Sequence, residues 1–153
     1  MHKAANQVKI ALYKGLSKVM DVAVWNYITG PLPRLTFEAP LFFKLRQDPG
    51  RKYELQVFDP QERLVFRKRQ ITLQNGQGII EQIRNVYVGG KYRAVILTDY
   101  YLPRQTYIRI HKDFNEITFK PMILGDFNKD GTLNAADFIT LLRNPRLLLL
   151  FIP

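Results

Sequence analysis

The chain has 153 residues, 46% of them apolar and 12% aromatic, with 23 Lys and Arg against 13 Asp and Glu, two histidines and no cysteine. The apolar share excludes a disordered protein, and the missing cysteines exclude disulfides, thiolate metal sites and cysteine nucleophiles; His2 and His111 cannot build a zinc site alone. The formal charge of +10 is uneven: residues 1–124 carry 20 basic against 10 acidic side chains and residues 125–153 carry three against three, so the body is basic and the tail neutral. A basic body attracts anionic polymers or surfaces without naming one.

At the N-terminus, Lys3, Lys9, Lys14 and Lys18 interrupt every apolar stretch before it reaches the length of a secretory signal, so any export signal is expected to have been removed or never to have existed. No apolar run approaches the roughly 20 residues that a membrane-spanning helix needs. Over Gln7 to Lys14, Val8, Ile10 and Leu12 alternate with Lys9, Ala11 and Tyr13, which favours a strand over the competing helix.

Leu35 to Leu45, Tyr53 to Phe58, Leu64 to Leu73, Tyr92 to Thr98, Thr106 to His111 and Glu116 to Phe119 are rich in aromatic and β-branched residues. Turn signals separate them: Gly30-Pro31, Asp48-Pro49-Gly50, Asp59-Pro60, Asn75-Gly76 and Gly89-Gly90. About seven strands spaced in this way predict a mainly β chain, an antiparallel sandwich within residues 1–120. Pro40 and Pro103 cannot donate to a ladder and predict edge positions or bulges. Beyond residue 120 a second segment, 121–153, is expected to hold a loop, a short helix over Ala135 to Arg143 ended by Asn144-Pro145, and an apolar tail, Leu147 to Ile152. The tail is too short to span a bilayer and is expected to pack on the sandwich, or to mark where a longer chain was cut.

The loop carries the chemistry. In DFNKDGTLNAAD, Asp126, Asn128 and Asp130 occupy positions 1, 3 and 5, Gly131 position 6, Thr132 position 7, Asn134 position 9 and Asp137 position 12 of a twelve-residue EF-hand pattern. Calcium takes six to eight hard oxygens, and a loop that wraps an ion turns every second side chain inward. Side chains 126, 128 and 130, the Thr132 carbonyl, Asn134 directly or through water, and Asp137 would complete the shell, with Lys129 directed outward. A plainer reading makes Asn134 a helix N-cap and Asp137 its N3 partner, but capping does not require oxygens at 126, 128 and 130.

The stretch GDFNKDGTLNAADFITLLRN resembles a single dockerin calcium repeat, in which the loop has an exiting helix and no entering one. The preceding KYRAVILTDYYLPRQ is similar to bacterial chains where a transthyretin-like or carboxypeptidase-regulatory-like sandwich leads into such a repeat. The resemblance implies one bound calcium ion and a secreted or cell-surface setting. Cohesin-binding members carry two repeats and hydroxyl-bearing residues at loop positions 10 and 11; here there is one repeat, with Ala135 and Ala136 at those positions. That shifts the expectation from cohesin docking to calcium as a structural fastener.

No catalytic set is legible: there is no GxSxG, HExxH or phosphate loop, and His111 beside Asp113 has no nucleophile. Spacing gives no support to Glu54, Glu62 and Glu81 as paired glycosidase carboxylates. The cluster Arg63, Arg67, Lys68 and Arg69, with Arg51 and Lys52, reads first as a solvated edge and second as a polyanion site. Trp25 with Tyr27, or Tyr100 with Tyr101, suits core or rim packing better than a sugar platform. The expectation is a non-catalytic structural or adhesive module with a protein partner or self-assembly. A polysaccharide- or polyanion-binding module comes second, an accessory domain of an enzyme complex third, and nucleic acid is not expected.

Overall fold

A computed structural model describes residues 32–43 and 50–149, which belong to one compact unit, Leu32–Pro153. The strand expected over Gln7 to Lys14, the pair Trp25 and Tyr27, and the end of the apolar tail lie outside the described residues.

The chain is mainly β, and the described residues form eight strands in two sheets. They are β1 (Arg34–Glu38), β2 (Lys52–Phe58), β3 (Leu64–Thr72), β4 (Gln77–Ile80), β5 (Lys91–Thr98), β6 (Tyr100–Arg109), β7 (Phe114–Thr118) and β8 (Leu124–Asp126). Two short helices follow, α1 (Ala135–Arg143) and α2 (Pro145–Leu148). The larger sheet has the order β3-β2-β5-β6-β8, all antiparallel; the smaller is β4-β1-β7. One pairing departs from the antiparallel expectation: β1 runs parallel to β7, with Leu35 opposite Asn115 and Phe37 opposite Ile117.

Alternation explains the larger sheet. Tyr53, Leu55 and Val57 on β2 and Tyr92, Ala94 and Ile96 on β5 turn inward, while Glu54, Gln56, Arg93 and Val95 turn outward. Those inward residues join Leu35 and Phe37 of β1, Ile117 of β7, and Phe119 and Met122 in one core cluster between the sheets. Phe37 and Phe119 meet edge to face, with centroids 6.2 Å apart. Gly78 lies opposite Phe37 in the β1–β4 register, and a Cβ there would come within 2.2 Å of the Phe37 ring, so only glycine leaves room for that side chain.

The strand expected over Leu35 to Leu45 ends early: β1 stops at Glu38 before Pro40, and among the described residues Leu41 pairs beyond it, bridging Met122. The Asn75-Gly76 turn is tight, with both residues at positive φ, but it joins strands of different sheets, so it acts as a corner. Pro103 lies on β6 beyond the short β8, where no ladder donor is required of it. Asn115 is buried at the foot of β7; its Oδ1 accepts from the His111 N–H and its Nδ2 donates to the Arg34 and His111 carbonyls. Among the described residues no helix is long and apolar enough to cross a membrane.

Candidate calcium loop

Strand β8 delivers the loop to the sheet. Asp126 is its last residue and lies opposite Tyr100 of β6, so the first candidate ligand is fixed by the ladder rather than by a flexible tether. At the other end α1 begins at Ala135, as the cap signal predicts. Asn134 is the N-cap: its Oδ1 accepts from the Ala136 N–H at 2.7 Å, and Asp137 Oδ2 accepts from the Asn134 N–H at 2.9 Å.

Asp137 does more than cap. It is 2% exposed, and its Oδ1 accepts from the N–H groups of Phe127 and Asn128, at 2.8 and 3.2 Å. One carboxylate therefore ties the start of the loop to the start of the helix, and charge-assisted bonds of this kind are about twice as strong as neutral ones. The plainer capping reading is thus realised in full. With two donors on Oδ1 and one on Oδ2, Asp137 keeps acceptor capacity on Oδ2 alone.

The middle of the loop closes on Asp130. Its Oδ1 accepts from the Thr132 hydroxyl and N–H at 2.6 and 2.8 Å, and its Oδ2 from the Asn128 and Asn134 side-chain amides at 2.8 and 3.2 Å. The Thr132 hydroxyl, its N–H and the amides hold this exposed carboxyl down at a pKa of about 2. Asn128 Oδ1 accepts from the Asp130 N–H at 3.0 Å. Lys129 and Gly131 both have positive φ, 64° and 80°, which gives the sharp turn that glycine at position 6 predicts.

Asp126 stands apart from the other two carboxylates. It is 6% exposed; its Oδ2 accepts from the Gly131 N–H at 3.2 Å, while its Oδ1 is buried and accepts nothing. A buried carboxylate oxygen without a donor is costly unless a cation or donor meets it. Among the described residues, no three Asp, Glu, His or Cys side chains gather as a ready-made cage. The structure thus brings all six expected loop residues into one hydrogen-bonded unit, with a single anionic oxygen left over.

Lys129 does not simply point outward. Its Nζ reaches Asp99 Oδ1 on the β5–β6 turn at 2.6 Å and lies 5.7 Å from the centre of the Tyr100 ring; the Asp99 bond raises its pKa. This cross-link was not legible in the sequence, since the two residues are 30 positions apart and the turn between β5 and β6 carries no motif. Beside it the loop borders a cleft of about 470 Å³ whose other wall comes from β2, β3 and β5.

The remaining candidates separate. Glu54 binds Arg67 and Arg69 at 2.6 and 3.0 Å, Glu62 pairs with Arg93, and Glu81 pairs with Arg34 at 3.4 Å, so the three glutamates have different partners. Arg67 and Arg69 share a face, as alternation predicts, and Arg63 is held by Asp59 at 2.7 Å. Tyr101 is buried, its hydroxyl donating to the Phe43 carbonyl, and Tyr100 is half-buried. His111 is exposed, with its backbone N–H on Asn115.

No known family profile matches the chain, and no curated protein matches it. Among solved structures it is similar to CueP, with 12% identity over 58% of this chain and 60% of that chain, at a TM-score of 0.44. It is also similar to a C-terminal interface mutant of a type II cohesin–X-dockerin complex from Acetivibrio cellulolyticus, with 16% identity over 72% of each chain, at a TM-score of 0.44. Neither likeness is close enough to assign a family.

Proposed function

We propose that the chain is a non-catalytic structural or adhesive module of a secreted or cell-surface assembly, in which one calcium ion fastens the C-terminal loop and helix to the β-sandwich. The observation that carries this reading is the buried, donorless Oδ1 of Asp126 inside a loop with the EF-hand pattern. The donor set is all oxygen, which suits a hard cation rather than zinc or copper. Asp126 would supply Oδ1 and Asp137 at most Oδ2. Asp130, Asn128 and Asn134 would turn their oxygens inward, the two amides giving up the Asp130 carboxylate, and Thr132 would add its carbonyl.

The extracellular setting is supported by the resemblance of residues 125–144 to a single dockerin repeat. The structural role is supported by where the loop sits, since it begins on a sheet strand and ends on a helix cap. In the basic cluster Arg63 lies on Asp59 while Arg67 and Arg69 share Glu54, so two carboxylates offset part of its charge and weaken the alternative of a polyanion surface there.

The test is thermal unfolding of the full chain in chelator and in millimolar calcium. Stabilisation should grow as RT ln(1 + [L]/Kd), and an Asp126→Ala variant should lose that dependence. Asn128→Ala, which leaves the buried carboxylate in place, should weaken it. Identical melting in chelator and calcium overturns the reading.

A further inference from the structure

The cleft of about 470 Å³ at the end of the larger sheet shares its wall with the loop: Asp126, Lys129, Asp130 and Gly131 belong to both. Its volume lies within the roughly 300–1,000 Å³ of pockets that take small molecules. Three cationic side chains line it, Lys52, Arg69 and Lys129. Four carboxylates oppose them, Glu54, Asp99, Asp126 and Asp130, so the lining is formally −1 in a chain of +10.

Much of this charge is already spoken for. Arg69 lies on Glu54 at 3.0 Å and Lys129 on Asp99 at 2.6 Å. Lys52 instead donates to the Thr72 hydroxyl at 2.7 Å, which leaves its ammonium two further protons to share. The carboxylates not offset by these pairs are Asp126 and Asp130, two of the three that the loop would present to calcium. A doubly charged ion there turns the formal −1 into +1, and the wall that repels an anion becomes one that attracts it.

We infer that the loop's calcium ion controls this cleft and makes it a site for a small carboxylate-bearing sugar, one or two rings long. The inference rests on the calcium reading given above. Lys52 is the carboxylate's partner. Leu97 and Pro103 offer an apolar surface to ring C–H groups, with the half-buried Tyr100 at the edge; the Gln70 amide serves ring hydroxyls, and Thr98 Oγ1, which donates to the Lys52 carbonyl at 2.7 Å, accepts from one.

The experiment titrates digalacturonate into the full chain by calorimetry, in millimolar calcium and in chelator, with a neutral galactose disaccharide and a glutamate-containing tripeptide alongside. Saturable binding of digalacturonate in calcium is expected, with roughly tenfold or greater loss in chelator or for the neutral sugar, equivalent to about 1.4 kcal/mol or more. Lys52→Gln should weaken sugar binding while leaving the calcium-dependent rise in melting temperature intact. If calcium stabilises the chain but digalacturonate does not bind, or binds equally in chelator, the inference fails and the calcium reading stands. Equal binding of the neutral sugar, or of the tripeptide, overturns the sugar-acid assignment. If calcium leaves the melting temperature unchanged, both fall.

Discussion

The sandwich and the loop that follows it are held by different means. Between the sheets, Leu55, Ile96 and Phe37 are fully buried and stabilise by removing apolar surface from water, an interaction without direction. In the loop and α1 the only buried helical residue is a carboxylate, Asp137, while Phe138 and Leu142 on the same helix are 61% and 58% exposed. The loop's order therefore comes from directed hydrogen bonds onto three aspartates. The two regions should respond to opposite perturbations: cavities for one, charge and acceptor loss for the other.

Phe37→Ala removes an aromatic ring from the core and should cost about 3–5 kcal/mol by denaturant titration, with the same cost in calcium and in chelator. Asp137→Ala leaves three backbone N–H groups of the loop without their acceptor and should cost roughly 2–4 kcal/mol, with α1 lost first from amide exchange protection. If Asp137→Ala proves neutral, the loop is not organised by its carboxylates. Gly78→Ala forces the Phe37 ring to move and should cost about 1–3 kcal/mol, again independently of calcium.

Two smaller effects sharpen the loop itself. The folded Asp130 carboxyl titrates at about 2, below its ordinary 3.8, so its contribution is present above pH 4 and is lost as pH falls from about 4 towards 2. Carboxyl chemical shifts should show that midpoint, and a midpoint near 3.8 would mean that the Thr132 and amide contacts do not hold in solution. Lys129→Ala removes an exposed ion pair to Asp99 and should change stability by less than about 1 kcal/mol, an effect weakened further by salt.

How much of this was readable depends on how local each interaction is. β2 announces itself because Tyr53, Leu55 and Val57 alternate with Lys52, Glu54 and Gln56, and β3 and β5 because they are rich in aromatic and β-branched residues. α1 matches its expected bounds because Asn134 and Asp137 cap it three residues apart. β4 and β8 escape notice: each is four residues or fewer and contains a glycine, and each is a strand only because a distant partner pairs with it. Pro145 does end α1, yet it also opens α2, consistent with proline's fitness for a first helical turn. Of the tail, Leu147 packs against the core cluster while Leu148 and Leu149 are exposed, so the expected docking holds for one described residue. All six expected loop residues come together, whereas the Lys129–Asp99 link and the shared cleft depend on tertiary proximity that no spacing encodes.

The parallel pairing of β1 with β7 sets the order in which the molecule can be made. Arg34 must meet Phe114 across 80 residues of chain, while the β2–β3 and β5–β6 hairpins close locally. During synthesis, the larger sheet can assemble around its hairpins while β1 waits without its lengthwise neighbour. β1 can pair with β4 earlier, but the smaller sheet is completed only after β7 has emerged. A chain stalled before Thr118 therefore presents Leu35 and Phe37 to solvent, and its window of vulnerability to aggregation is set by the time needed to complete β7.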